Sequence, residues 1–212
     1  MTPFVTRKIR LWFSLTFLVL LVAVAQGQTG ARLPIIGSFG EKVLALAPWR
    51  VAGKQGHLFC QVSQHPASDD DRSPMRVLTI YREEEADQAR IYDFRTSDSL
   101  LNVYALGDYD GRLFTTWVAG SAYHLRIWAF VDGIVKQVLD EGTKIVPEFL
   151  YDDLGRESIL ITDPGMENGK WTVKSGTTRV FKWGGQSYEK IGTVPWRKRL
   201  QCLSKESCAS VK

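Results

Sequence analysis

The sequence predicts an all-β protein built as a stack of antiparallel meander blades, and three observations carry that expectation. One short strand is written three times, as Ala89-Arg90-Ile91-Tyr92-Asp93-Phe94, Leu125-Arg126-Ile127-Trp128-Ala129-Phe130 and Thr178-Arg179-Val180-Phe181-Lys182-Trp183. From Trp49 onward apolar residues recur with period two in short runs bounded by Gly, Asp, Ser and Pro, the pattern of strands. The dipeptides Asp132-Gly133 and Gly184-Gly185 supply the positive φ that two-residue hairpin turns require. A repeat constrains architecture before activity, because each unit buries its faces against its neighbours. A β-sandwich or barrel made of the same meanders is the alternative arrangement.

Taken from the N-terminus, Arg7, Lys8 and Arg10 precede an apolar run from Leu11 to Val24, and Ala23-Val24-Ala25 offers small residues for cleavage. Residues 1–25 therefore read as a secretory signal peptide. The apolar run is about 14 residues, short of the roughly 20 that a spanning helix needs, so no stable membrane span is expected after cleavage. The expected location is secreted or periplasmic. The whole chain has 27 Lys+Arg against 23 Asp+Glu; without those three basic residues the balance is 24 against 23. A near-neutral surface exerts no long-range pull on phosphate, and nucleic acid is not an expected partner.

Residues 26–45 carry Gly and Pro with little periodicity and read as an extended lead-in, residues 46–200 as one β-repeat domain, and residues 201–212 as a tail. Each copied strand is preceded by another strand, at Arg76 to Tyr81, Leu113 to Val118 and Ser158 to Thr162, and followed by a third, at Leu100 to Leu106, Ile134 to Leu139 and Ser187 to Val194. Alternation within the copied strand puts Arg and the aromatics on one face and Ile or Val on the other. Apolar groups on both faces mean cover on both sides, so the copied Arg and aromatics are expected to pack blade against blade. Three repeats are visible, and residues 46–63 are the candidate for part of a fourth. An open stack would leave an exposed sheet edge and predicts a homodimer.

Asp108-Tyr109-Asp110-Gly111-Arg112 and Asp152-Asp153-Leu154-Gly155-Arg156-Glu157 lead directly into strands, and Asp69-Asp70-Asp71 opens the first repeat with charge but no glycine. This order, an Asp/Gly loop followed by strand, aromatic strand, turn and strand, resembles the FG-GAP or VCBS-type repeat of integrin-like β-propellers over roughly residues 69–195. The resemblance implies a propeller-like arrangement of blades. It also implies calcium, a hard cation wanting six to eight oxygens, with Asp108, Asp110, Asp152, Asp153 and Glu157 as its ligands. The pattern is incomplete: Arg112, Leu113 and Leu154 stand where further carboxylates would be expected. Aspartates also favour turns on their own account, by bonding nearby backbone N–H groups.

If the acidic turns share one rim, the opposite strand ends carry the stretches 82–88, 119–124 and 163–177. The last is the longest and holds Pro164-Gly165, Asn168-Gly169, Lys170 and Trp171. Long connections on a rigid scaffold are where binding concentrates. Trp171, Lys170 and Tyr123 are thus the candidate contact residues, although a tryptophan in such a place more often packs back on the body.

Three cysteines allow at most one intramolecular disulfide. Cys202 with Cys208, closing a small tail loop, is the favoured pair, leaving Cys60 as a buried thiol between Leu58 and Val62; a bridge from Cys60 to the tail is the alternative. Only His57, His65 and His124 are present, and no metalloprotease, redox, nucleophile-elbow or phosphate-loop motif occurs. Ser121 near His124 invites a nucleophile-and-base reading, but two such residues in one loop arise easily by chance, and nothing marks an oxyanion hole. The expected function is that of an exported, non-enzymatic structural or interaction module binding protein or glycan, with an exported hydrolase as the alternative.

Overall fold

The computed structural model describes residues 41–51, 57–67, 73–83, 88–105, 111–151, 157–202 and 204–210. All lie in one compact unit, Gly37–Lys212; the predicted signal peptide and most of the predicted lead-in lie outside the described residues.

Among the described residues twelve strands form three four-stranded antiparallel sheets, each a plain meander. Sheet A holds β1 (Lys42–Arg50), β2 (His57–Gln64), β3 (Arg76–Glu83) and β4 (Gln88–Thr96). Sheet B holds β5 (Ser99–Ala105), β6 (Arg112–Ala119), β7 (Ala122–Val131) and β8 (Ile134–Thr143). Sheet C holds β9 (Glu148–Tyr151), β10 (Glu157–Glu167), β11 (Lys170–Trp183) and β12 (Tyr188–Pro195). A 3-10 helix, Trp196–Gln201, and one short helix, α1 (Lys205–Ser210), follow. This is the predicted all-β fold of repeated meanders.

The sheets stack by their apolar faces. Between A and B lie Trp49, Leu58, Cys60, Val62, Leu78 and Ile80 from one side and Leu113, Trp117, Trp128 and Phe130 from the other. Between B and C lie Phe114, Leu125, Ile127 and Leu139 against Ile159, Ile161, Phe181 and Tyr188. The far face of C, with Leu160, Val180 and Val194, is covered by the tail through Cys202 and Cys208. Trp128 and Ile127, adjacent in β7, therefore serve different interfaces, which is the two-sided burial that alternation predicts.

The repeat is real, but its first copy sits one strand earlier than the sequence match indicates. Arg126-Ile127-Trp128 and Arg179-Val180-Phe181 lie on the third strand of their sheets, whereas Arg90-Ile91-Tyr92 lies on the fourth. Register settles the equivalence: Ile127/Trp128 faces a bulge that skips Val138 of β8, and Val180/Phe181 faces one that skips Ile191 of β12. In sheet A the same irregularity faces Ile80/Tyr81 and skips Ile91 of β4. Thr79-Ile80-Tyr81 is the structural counterpart, and Ile91 corresponds to the bulged Val138 and Ile191. A bulge admits one extra residue and increases local twist, so all three sheets bend at the same point.

Several corrections follow from this one-strand offset. Leu100 to Leu106 does not complete the first repeat, because Ser99–Ala105 pairs with β6 and opens sheet B. Residues 46–50 and 57–63 are not part of a fourth blade but fall in β1 and β2 of the first sheet, and β1, from Lys42, already lies partly inside the predicted lead-in. Since neighbouring strands alternate in direction, the ends of β3 and β4 that flank residues 84–87 share a rim with the ends flanking 106–110 and 152–156. The strand ends flanking Asp69-Asp70-Asp71 face the other rim, and those three residues lie outside the described residues.

Candidate functional site

Residues 163–177 form no loop. β9 pairs with β10 only over Glu157–Leu160, and β12 pairs with β11 only over Thr177–Trp183, so the remainder of both strands projects past the sheet as a two-stranded finger. Its turn is Asn168-Gly169, with φ of 51° and 73°, the pair of positive values that a tight hairpin needs. Halfway along, the ladder steps from Asp163↔Thr177 to Gly165↔Thr172, so residues 173–176 bulge opposite Pro164 alone. The bend is tight enough that a Cβ on Gly165 would run into the Ser175 carbonyl and one on Gly176 into that of Asp163.

The base of the finger is fastened to sheet B by the third copied arginine. Arg179 Nε donates to Asp163 Oδ2 at 3.0 Å and Nη2 to the Gly142 carbonyl at 2.8 Å, while Nη1 pairs with Glu141. Beside it Thr143 donates to the Thr162 carbonyl at 2.6 Å and the Thr162 and Thr178 hydroxyls bond at 2.9 Å. Charge-assisted and buried bonds of this kind fix the direction in which the finger leaves the body.

The distal ladder pairs Met166 with Trp171 and Glu167 with Lys170. Directly opposed residues share a face and adjacent ones do not, so Met166 and Trp171 make an apolar pad on one side and Glu167 with Lys170 a charged pair on the other. Trp171 is 70% exposed and Met166 60%. The packing-back expected of Trp171 does not occur. Of the predicted contact residues, Lys170 and Trp171 are on the finger, while Tyr123 is half-buried on β7 opposite Val118 and Thr143. Met166 was missed, though counting outward from Asn168-Gly169 places it across from Trp171.

Of the other copied arginines, Arg90 does not pack blade against blade as expected: it is 52% exposed on the fourth strand of sheet A and pairs with Asp93 of its own strand; Arg126 is the packing and ion-pair group. Arg126 bonds Asp98 at 2.9 Å and Asp140 at 3.3 Å and lies 4.9 Å from the Phe94 ring centre, so it ties sheet B to sheet A. Phe94 meets Trp128 edge-on at 5.7 Å, and Tyr92 accepts a bond from Trp128 Nε1 at 3.4 Å.

Of the five predicted calcium ligands, Asp108, Asp110, Asp152 and Asp153 lie outside the described residues. Glu157 is described, and it faces inward: its Oε1 lies 2.5 Å from Arg112 Nη1, and Tyr188 bonds both partners. Arg112 is 2% and Glu157 1% exposed in the side chain, with Trp183, Tyr188 and Phe114 rings around the guanidinium. The fixed positive charge of Arg112 occupies the place a cation would take at that carboxylate. Among the described residues no three His, Cys, Asp or Glu side chains converge as a metal site. Burial pushes the nearby Tyr104 phenol up, with Tyr151 and Glu157 adding to the effect.

Ser121 accepts a bond from Lys144 Nζ at 2.8 Å, while His124 packs on Gly142 and has Nδ1 3.9 Å from Asp140. Cys202 and Cys208 form a disulfide, and Cys60 is a buried free thiol. No helix among the described residues is long and apolar enough to cross a membrane. The disulfide fits an oxidising compartment. No known protein-family model matches the chain, and no curated protein matches it.

Proposed function

We propose that the protein is an exported, non-enzymatic interaction module that meets its partner, a protein or a glycan, through the finger at residues 163–177. The observation that carries this reading is the 70% exposure of Trp171 on an arm whose base is pinned to two sheets. Tryptophan and methionine left in water are costly, and a built pad of both is a surface waiting for cover. Export is supported by the basic and apolar N-terminal pattern together with the tail disulfide. The blade form is what the FG-GAP/VCBS-type resemblance implies, and such scaffolds present their contacts at the rims.

The test compares the mature protein with its Trp171→Ala variant in binding to secreted and envelope fractions of the source cells and to a glycan array. The variant should lose binding while its melting temperature stays within about 1 °C, because an exposed side chain contributes little to folding. Equal binding by the two proteins would remove the finger from the account.

A further inference from the structure

We infer that the partner of the finger is a protein with a concave apolar pocket that takes the Met166–Trp171 face from the side, rather than a sugar, a bilayer or a paired strand. This rests on the finger being the contact site and goes further by choosing among the chemistries that could cover it. Four features of the arm decide the choice.

A sugar stacked on Trp171 needs donors and acceptors on the same face to bond its hydroxyls. Here the charged pair Glu167 and Lys170 stands on the opposite face, and the pad's other member is Met166. A bilayer would be entered tip first, yet the tip is Glu167-Asn168-Gly169-Lys170, polar throughout and without net charge. Anionic lipid would also favour an excess of basic groups, whereas Lys170 and Lys174 on the arm are balanced by Glu167 and Asp163. Added strands need a free, regular edge; Pro164 removes a donor from β10, and the bulge at residues 173–176 breaks the edge of β11. What is left for recognition is side-chain shape.

The size of the pad sets the geometry of the pocket. Two side chains exposed to this extent offer on the order of 300 Å², well under the roughly 800 Å² per partner of a stable flat interface. Such a pad contributes strongly only where it is enclosed, as central tryptophans of interfaces are. Methionine beside the ring adapts to an irregular wall. The bend at Gly165 and Gly176 sets the angle of the pad to the sheet, so the pocket receives the arm's flank while Glu167 and Lys170 remain in water.

The experiment uses the mature protein and its Trp171→Ser, Met166→Ser, Lys170→Ala and Glu167→Ala variants. The probes are phosphatidylcholine vesicles with and without phosphatidylglycerol, a glycan array, the protein itself in sedimentation, and an envelope protein identified by cross-linking and then purified. Expected is saturable binding to that purified protein, weakened at least tenfold by Trp171→Ser and by Met166→Ser and less than twofold by Lys170→Ala or Glu167→Ala, with all variants melting alike. Retention on vesicles or the array that Trp171→Ser abolishes would overturn the pocket while keeping the finger. So would self-association lost in Trp171→Ser, or an equal loss in Lys170→Ala. Protein binding indifferent to Trp171→Ser would instead overturn the finger itself.

Discussion

Replacing Glu157 by Gln should cost about 3–5 kcal/mol of stability, and the structure supplies the reason. Glu157 and Arg112 are the side chains at the opening of β10 and β6, buried to 1% and 2% exposure between sheets C and B. The amide keeps the shape and the bond to Tyr188, so what is lost is the charge opposing Arg112. Around that guanidinium stand the rings of Trp183 at 4.7 Å, Tyr188 at 5.3 Å and Phe114 at 5.8 Å. Those rings surround the guanidinium before and after the change, and breaking a buried pair by removing one partner costs about 3–5 kcal/mol. A domain of this size moves by about 2–4 °C per kcal/mol, which puts the expected fall in melting temperature at roughly 10 °C. Removing both charges together, as Arg112→Met with Glu157→Met, should recover most of the loss, since an apolar replacement of a buried pair is often neutral. Denaturant titration of the two variants and the wild type measures all three values. A loss below about 1 kcal/mol in Glu157→Gln, or no recovery in the double variant, would refute the argument that this pair is a dry inter-sheet contact.

Three further outcomes follow from individual contacts. Burial pushes the Cys60 thiol well above its ordinary range, so it should resist alkylation at pH 8 until the protein unfolds; rapid labelling of the native protein would contradict its place between sheets A and B. By linkage, stability should fall as pH rises past the ordinary thiol range, because the unfolded thiol ionises there and the folded one does not. Gly192→Ala should prevent the tail from docking, since a Cβ there would lie 2.9 Å from Cys208 Sγ; reduction of the Cys202–Cys208 bridge, a loop constraint of about 2 kcal/mol, should then cost less in the variant than in the wild type, as read by melts with and without reductant. Gly165→Ala should alter binding through the finger with little change in global stability, because the clash with Ser175 lies beyond the sheet; a large loss of melting temperature would show that the bend supports the body.

The limits of the sequence reading are instructive in sheet A. Arg90-Ile91-Tyr92 fits the Arg-(Ile/Val)-aromatic pattern of the other copies, yet Ile91 is the residue skipped in the β3–β4 ladder. A bulge changes register without changing composition, so a strand that carries one and a strand that opposes one can show the same string. The offset then reversed the assigned direction of the first repeat and with it the rim faced by the strand ends that flank residues 84–87 and 69–71. The finger was half visible for a related reason: Asn168-Gly169 is a strong hairpin signal, but how far two strands run past their neighbours depends on where β9 and β12 stop pairing. Glu157 looked like a loop carboxylate because it closes an acidic turn, and only the arrival of Arg112 from 45 residues away turns it into an interior ion pair.

Alternation of side chains, turn dipeptides and a repeated strand were enough to determine that this chain forms antiparallel meanders buried on both faces, since those features act between residues near in sequence. Which strands share a sheet, where each copy falls within it, that Trp171 stands in water beside Met166, and that Glu157 is held by Arg112 were decided only by tertiary structure. They depend on ladders and contacts between distant segments, and a strand's own residues do not specify where its neighbours end.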